Sequence, residues 1–230
     1  MDYPDVASYG WKQRGISPDF PLWQAFVYES VTRMTQILQT VLIALGGNLP
    51  FDAGSPAVTL RRALDRFAEV GLPQPVVSRF FATPCFPAGA GPDYVNAAAL
   101  LQVDGGMTAA VVLARLHQIE AMFGRQRAQR WGKRTLDIDL LALDDTVLPD
   151  AATQTLWRDL ATGQQTSRTP DRLILPHPRL QDRAFVLMPL ADVAPDWRHP
   201  LLGLTVVQML AALPAADLAA IHPLPTVATP

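Results

Sequence analysis

Apolar positions along the chain fall into short segments of two different periods. Residues 40–45 form a mostly apolar run ended by Gly46, Gly47 and Asn48, which predicts a buried strand and a tight turn. Over 57–70 apolar side chains recur at helical spacing and stop at Gly71, which predicts a helix with a glycine cap. Residues 75–83 are β-branched and aromatic and predict a strand, 84–93 are turn formers, and 94–103 predict a further strand followed by Gly105 and Gly106. Residues 107–123 predict an amphipathic helix closed by Gly124. A basic loop over 125–134 follows, then a strand over 135–143 that ends in Asp144 and Asp145.

The order strand, helix, strand, strand, helix, strand is the split pattern of an α+β, ferredoxin-like βαββαβ sandwich, an antiparallel sheet with helices on one face. Its domain is expected to cover 37–212. Within it, 150–171 is a polar insertion loop with one short helix around Leu156–Leu160, 173–175 is a short strand, and a last apolar helix lies near 204–212. The Ala- and Pro-rich tail 213–230 is expected to be loose. Residues 1–36 mix Trp11, Phe20, Trp23, Phe26 and Tyr28 with Pro, Gly, Asp and Ser in no clean period, and read as an extension.

Composition narrows the picture. Of 230 residues 49% are apolar, enough for a sizeable core, and 17% are charged, too few for a disordered chain. The formal charge of -2 means that any affinity for phosphate must come from a local basic patch. The lone Cys85 excludes an intramolecular disulfide and suits a reducing compartment. No signal-type apolar stretch opens the chain and no run of eighteen apolar residues occurs. The expectation is a cytoplasmic protein.

The basic patch is present. Arg125, Arg127, Arg130, Lys133 and Arg134 lie within 125–134 without an acid among them, and guanidinium forks suit phosphate oxygens. Asp137 and Asp139 follow in a strand, two apart, so both side chains share one face with Cα atoms roughly 6.5–7 Å apart. Aspartate is depleted in strands, and such a pair beside five cations can hold hard cations that share their shell with phosphates. Metal, cations and an in-line nucleophile are what phosphoryl-type transfer requires. No GxxxxGK[ST] or GxGxxG sequence is present. His177, held between Pro176 and Pro178, and Arg183 form a second candidate. Tyr94 and Asn96, on one strand face near 83–86, suit a flat heterocycle with donor and acceptor edges.

Taken together, IALGGNL (43–49), TPCF (83–86), PDYVNAA (92–98), IEAMFGRQRAQRWGKRTLDIDLL (119–141) and LILPHPRLQDRAFVLMPLADVAPD (173–196) resemble the 6-hydroxymethyl-7,8-dihydropterin pyrophosphokinase family. The resemblance runs in order from about Val41 to about Trp197. It implies an ATP-dependent transfer of diphosphate to a reduced pterin in folate synthesis, with AMP released. It further implies two Mg²⁺ ions on Asp137 and Asp139. Arg125, Arg127, Arg130 and Arg134 would lie in or beside a mobile loop and some of them would clamp phosphates, with Arg125 and Arg134 catalytic and Trp131 helping to close the site. Glu120, Leu140, Arg172, His177 and Arg183 would contact ATP. Thr83, Pro84, Cys85, Phe86, Tyr94, Asn96 and Phe185 would form the pterin site, with Tyr94 and Phe185 on either side of the ring. His117, Lys133, Ile174, Cys85 and Pro178 depart from residues common in the family.

The expected partners are small molecules, ATP and the reduced pterin. The protein is expected to be a monomer that binds neither nucleic acid nor membrane. An RNA-binding sheet is disfavoured because its first strands lack an aromatic string and Asp137 and Asp139 would repel phosphates without metal. A non-catalytic binding module is disfavoured by the intact aspartate pair. Residues 1–33 are expected to be dispensable, with Met34 a possible start of the functional chain.

Overall fold

A computed structural model describes residues 37–85, 91–124, 135–161, 164 and 168–225. The expectations for residues 1–36 lie outside these described residues. The elements are β1 (Leu38–Gly47), α1 (Pro56–Leu64), β2 (Val76–Val77), β3 (Phe81–Thr83), β4 (Tyr94–Asp104), α2 (Ala109–Met122), β5 (Asp137–Leu143), α3 (Ala151–Arg158), α4 (Ala184–Val193), α5 (Val206–Ala211), α6 (Ala215–Ala219) and β6 (His222–Pro223).

The strands form one antiparallel sheet in the order β5-β1-β4-β3-β6, with β2 also on β4. This is the expected α+β arrangement, with β1 central between β4 and β5. The stretch 75–83 is two strands and not one. At Ser78 the chain folds in: its N–H donates to the Ala98 carbonyl, its hydroxyl donates to Arg79 O, and its oxygen accepts from Ala98 N–H. A small hydroxyl thus satisfies a ladder position that the interrupted strand leaves open.

Alternation along β1 and β4 divides the apolar side chains between two layers. Val41, Ile43 and Leu45 join Ala97, Ala99, Leu101 and Val103 beneath α1 and α2, around Phe67, Leu116 and Ile119. Leu42 and Ala98 join Leu187, Leu190, Val206 and Met209 on the other face. Helices therefore cover both faces, where one was expected. The second layer is built by α4, which Pro189 hides from a periodicity reading because a proline removes a helical N–H. Burial of Val186, Leu187 and Leu190 holds it in place. The bidentate pair of Arg79 with Asp192, at 2.9 and 2.8 Å, ties α4 to the β2–β3 connection.

The tail is not loose through residue 225. α6 precedes β6, which pairs with β3, and Leu224 N–H donates to Phe80 O at 2.7 Å. Ile221 is buried with Phe81 and Ala184, a small cluster that local sequence gave no sign of. Residues 173–175 form an isolated bridge, Leu148 with Leu175, and not a strand. No described helix is long and apolar enough to cross a membrane. If the tail belongs to the fold, Ile221→Ala should lower stability by about 2 kcal/mol, measured by denaturant unfolding. An unchanged midpoint would mean that the tail contributes nothing to the core.

Candidate functional site

Sheet register places the chemistry. Gly46 of β1 is opposite Asn96 of β4 and opposite Asp137 of β5. One row therefore reads Phe81, Asn96, Gly46, Asp137 across four strands, and the next reads Ala98, Ala44, Asp139. Directly paired residues share a face, so Asn96 and the two aspartates look out on the α4 side. Two strand spacings set the Asn96 and Asp137 backbones roughly 9–10 Å apart. Between them stand only glycine and alanine. A Cβ on Gly46 would lie 2.7 Å from Asn96 Oδ1, so a larger residue would displace the amide. That amide is fixed, since its Nδ2 donates to the Thr83 hydroxyl.

The carboxylates are presented by a strand built for two faces. Leu136, Ile138 and Leu140 are buried, whereas Asp137 and Asp139 are half-exposed. Beyond them the register with β1 slips between Leu42 and Ile43, leaving Leu141 as a bulge. Bulges re-aim backbone groups and recur beside active sites. Here the Leu141 carbonyl accepts the N–H of His177 at 2.8 Å. Glu120, expected at the nucleotide, is 1% exposed. Its carboxylate accepts from the Ile138 N–H at 2.7 Å, between the two aspartates. It holds this edge strand from α2, a role its helical position alone could not reveal.

His177 and Arg183 lie within electrostatic reach of the pair. Burial, reinforced by Arg183 and Arg179, pushes the His177 pKa down to about 3, while Asp137 opposes the shift. The His177 ring is neutral at pH 7, and its Nδ1 accepts from the Arg179 N–H at 3.1 Å, which leaves Nε2 carrying the proton. Burial also lowers the Arg183 pKa, opposed first by Asp139, then by Asp182 and Asp137. A half-buried guanidinium facing two carboxylates stays charged and is ready for an anion. Its Cζ lies 5.6 Å from the centre of the half-exposed Phe185 ring. Arg179 pairs with Asp182, whose pKa burial raises against both arginines.

The other predicted residues divide. Thr83, Tyr94 and Asn96 come together on the α4 face, and the Cys85 N–H is held by Asp93 Oδ1 at 3.1 Å beside exposed Pro84. Leu140 packs its side chain in the α1–α2 core, on the face opposite the aspartates, so its backbone is what it offers a ligand. Arg172 is exposed and turned to Asp171, with Asp150 nearby. Phe86, Arg125, Arg127, Arg130, Trp131 and Arg134 lie outside the described residues. The ends of that basic segment meet, because the Thr135 hydroxyl donates to Phe123 O at 2.6 Å. Gly46 was read as part of a turn. Its function as a spacer follows from strand pairing, and a glycine inside a strand is the signal for close approach.

The donor set suits magnesium. Two half-exposed carboxylates share one face, and among the described residues no third His, Cys, Asp or Glu gathers with them. An ion that keeps several waters and shares its shell with substrate phosphates fits such a site, whereas an ion needing an all-protein cage does not.

The 7,8-dihydro-6-hydroxymethylpterin-pyrophosphokinase family (HPPK) matches residues 42–195. A 2-amino-4-hydroxy-6-hydroxymethyldihydropteridine pyrophosphokinase of Synechocystis is 34% identical over 182 residues, covering 79% of this chain and 80% of the relative. The enzyme of the same name from Pseudomonas aeruginosa is 37% identical over 182 residues, covering 77% and 94%. Among solved structures, Plasmodium falciparum HPPK-DHPS A437G with SDX-DHP aligns with TM-score 0.54 at 14% identity, covering 76% of this chain and 45% of that one. At that identity the likeness is one of fold.

Half-buried His177 and buried His199 both bear on stability. His199 is fully buried, and burial with Arg158 nearby lowers its pKa to about 4. His177 and His199 therefore bind a proton more weakly folded than unfolded, where the value is 6.5. Their contribution is complete above pH 6.5 and is lost as pH falls through about 4 and about 3. Imidazole NMR should show neither ring titrating between about pH 8 and pH 5, with unfolding taking up protons below pH 6.5. A His177 signal titrating near 6.5 would contradict the enclosed neutral ring.

Proposed function

The chain belongs to the 7,8-dihydro-6-hydroxymethylpterin-pyrophosphokinase family, and we propose that it transfers the terminal diphosphate of ATP to the hydroxymethyl group of 6-hydroxymethyl-7,8-dihydropterin. The pterin hydroxyl oxygen attacks the β-phosphorus and its proton passes to water, the bond from that phosphorus to the oxygen bridging the α-phosphate breaks, and AMP leaves. The observation that carries this reading is the row Asn96, Gly46, Asp137, which sets an amide wall and a carboxylate pair on one floor with nothing larger than a methyl group between them.

The roles follow from chemistry at each end. Asn96, fixed by Thr83, reads the edge of the pterin ring, and Tyr94 and Phe185 flank its faces. Backbone groups near Cys85, held by Asp93, complete that edge. Asp137 and Asp139 would hold two Mg²⁺ ions, which supply charge neutralisation on the ATP phosphates. His177, with its proton on Nε2, donates to a phosphate oxygen, and Arg183 adds fixed positive charge. Arg125, Arg127, Arg130 and Arg134 neutralise the phosphates further, with Arg172 at the nucleotide's outer side. Glu120 belongs with the strand it holds and not with the nucleotide. Protonation of the leaving AMP is unnecessary, because a phosphate oxygen leaves readily once its charge is balanced.

The nucleotide released decides the reaction class. Incubation with ATP, Mg²⁺ and the reduced pterin should yield AMP and pterin diphosphate in equal amounts, resolved by chromatography. Asp137→Asn should lower turnover by at least about a hundredfold, the scale of removing one preorganised electrostatic group, with the melting temperature little changed. Pterin-dependent ADP without AMP would overturn the proposal, as would an Asp137→Asn enzyme of normal rate.

A further inference from the structure

The chain leaves the sheet after β5 and returns at the His177 segment, and the two ends of this excursion meet. Leu148 and Leu175 exchange both backbone hydrogen bonds, at 2.9 and 3.2 Å. A tight turn could join them, yet the chain inserts α3. The helix is properly started: its N-cap Asp150 accepts from the Thr153 N–H at 2.8 Å and from the Thr153 hydroxyl. Its inward residue is Gln154, fully buried. Gln154 Nε2 donates to the Pro176 carbonyl at 3.1 Å. Its Oε1 is enclosed without a hydrogen-bond partner among the described residues. At the other end of the helix, the Arg158 carbonyl accepts from Arg179 Nη1 at 3.4 Å. Between these two attachments stands His177, whose own N–H is fixed to the bulge at Leu141.

A half-satisfied amide is a costly means of packing a helix, since its Oε1 is desolvated without a bond in return. The one bond the amide makes goes to the carbonyl that immediately precedes His177. We propose that α3 is a brace for residues 175–179 and that Gln154 is a positioning residue, setting through Pro176 where the His177 ring meets the nucleotide. This rests on the reading of His177 as a nucleotide contact. It gives the 150–171 insertion a function in substrate binding, upstream of the chemistry itself.

The test uses the full chain with Gln154→Met, which keeps length and approximate volume and removes the donor. The melting temperature should change little, because the stranded Oε1 is removed while the Pro176 carbonyl loses its donor. Affinity for MgATP, titrated calorimetrically without pterin, should fall roughly three- to tenfold, the worth of about one hydrogen bond. Pterin affinity should hold, and the His177 ring signals should shift in the NMR spectrum. Gln154→Leu should repeat the pattern, and gives the reading if methionine is not tolerated. Unchanged MgATP affinity would overturn the brace, as would a parallel loss of both ligands together with stability. His177→Ala, measured alongside, separates the two ideas. If it leaves MgATP affinity intact, the nucleotide reading of His177 falls and takes the brace with it. If it weakens MgATP while Gln154→Met does not, the brace alone falls.

Discussion

Between the amide of Asn96 and the carboxylate of Asp137 the sheet carries one residue, and a larger one would displace the amide. A methyl group at Gly46 would sit 2.7 Å from Asn96 Oδ1, well inside van der Waals contact. Because β1 pairs antiparallel with both β4 and β5, this single position adjoins both halves of the floor at once. Ala44 continues the gap one row further, opposite Asp139. The rest of the site is arranged around that gap, with an amide wall on one side, charge on the other, and α4 bringing Arg183 and Phe185 above.

An edge strand bearing two carboxylates needs support from elsewhere. Asp137 and Asp139 take the face that would otherwise add apolar area, so β5 relies on Ile138 and Leu140 against α2 and on Glu120 at its edge. The bulge at Leu141 ends this arrangement and turns a carbonyl toward His177. The His177 segment is then held by backbone bonds on the β5 side and by α3 on the other. Precise placement of a few polar groups on rigid elements is what electrostatic catalysis demands.

Much of this was legible in the chain. Period-two alternation over 135–143 assigned Asp137 and Asp139 to one face and Ile138 to the other, because a strand has no third option. Gly71 and Gly124 closed their segments with positive φ of 73° and 75°. What stayed hidden was long-range. Pro189 masked α4, and with it the second helical layer. Ile221 and β6 looked like an Ala- and Pro-rich tail because their partners, Phe81 and Ala184, lie far away in sequence. Gln154 read as one polar residue in a polar insertion, and its burial depends on a carbonyl 22 positions on.

In the proposed reading the gap at Gly46 keeps the pterin edge in register with the carboxylates that would hold metal, on one floor. Gly46→Ala tests it most directly, by calorimetric titration of the folded variant with each ligand separately. The added methyl displaces the Asn96 amide and leaves Asp137 alone, so MgATP affinity should hold within about twofold while pterin affinity falls by about tenfold or more, the scale of a lost or misplaced hydrogen-bonding group. Undiminished pterin affinity would contradict the account.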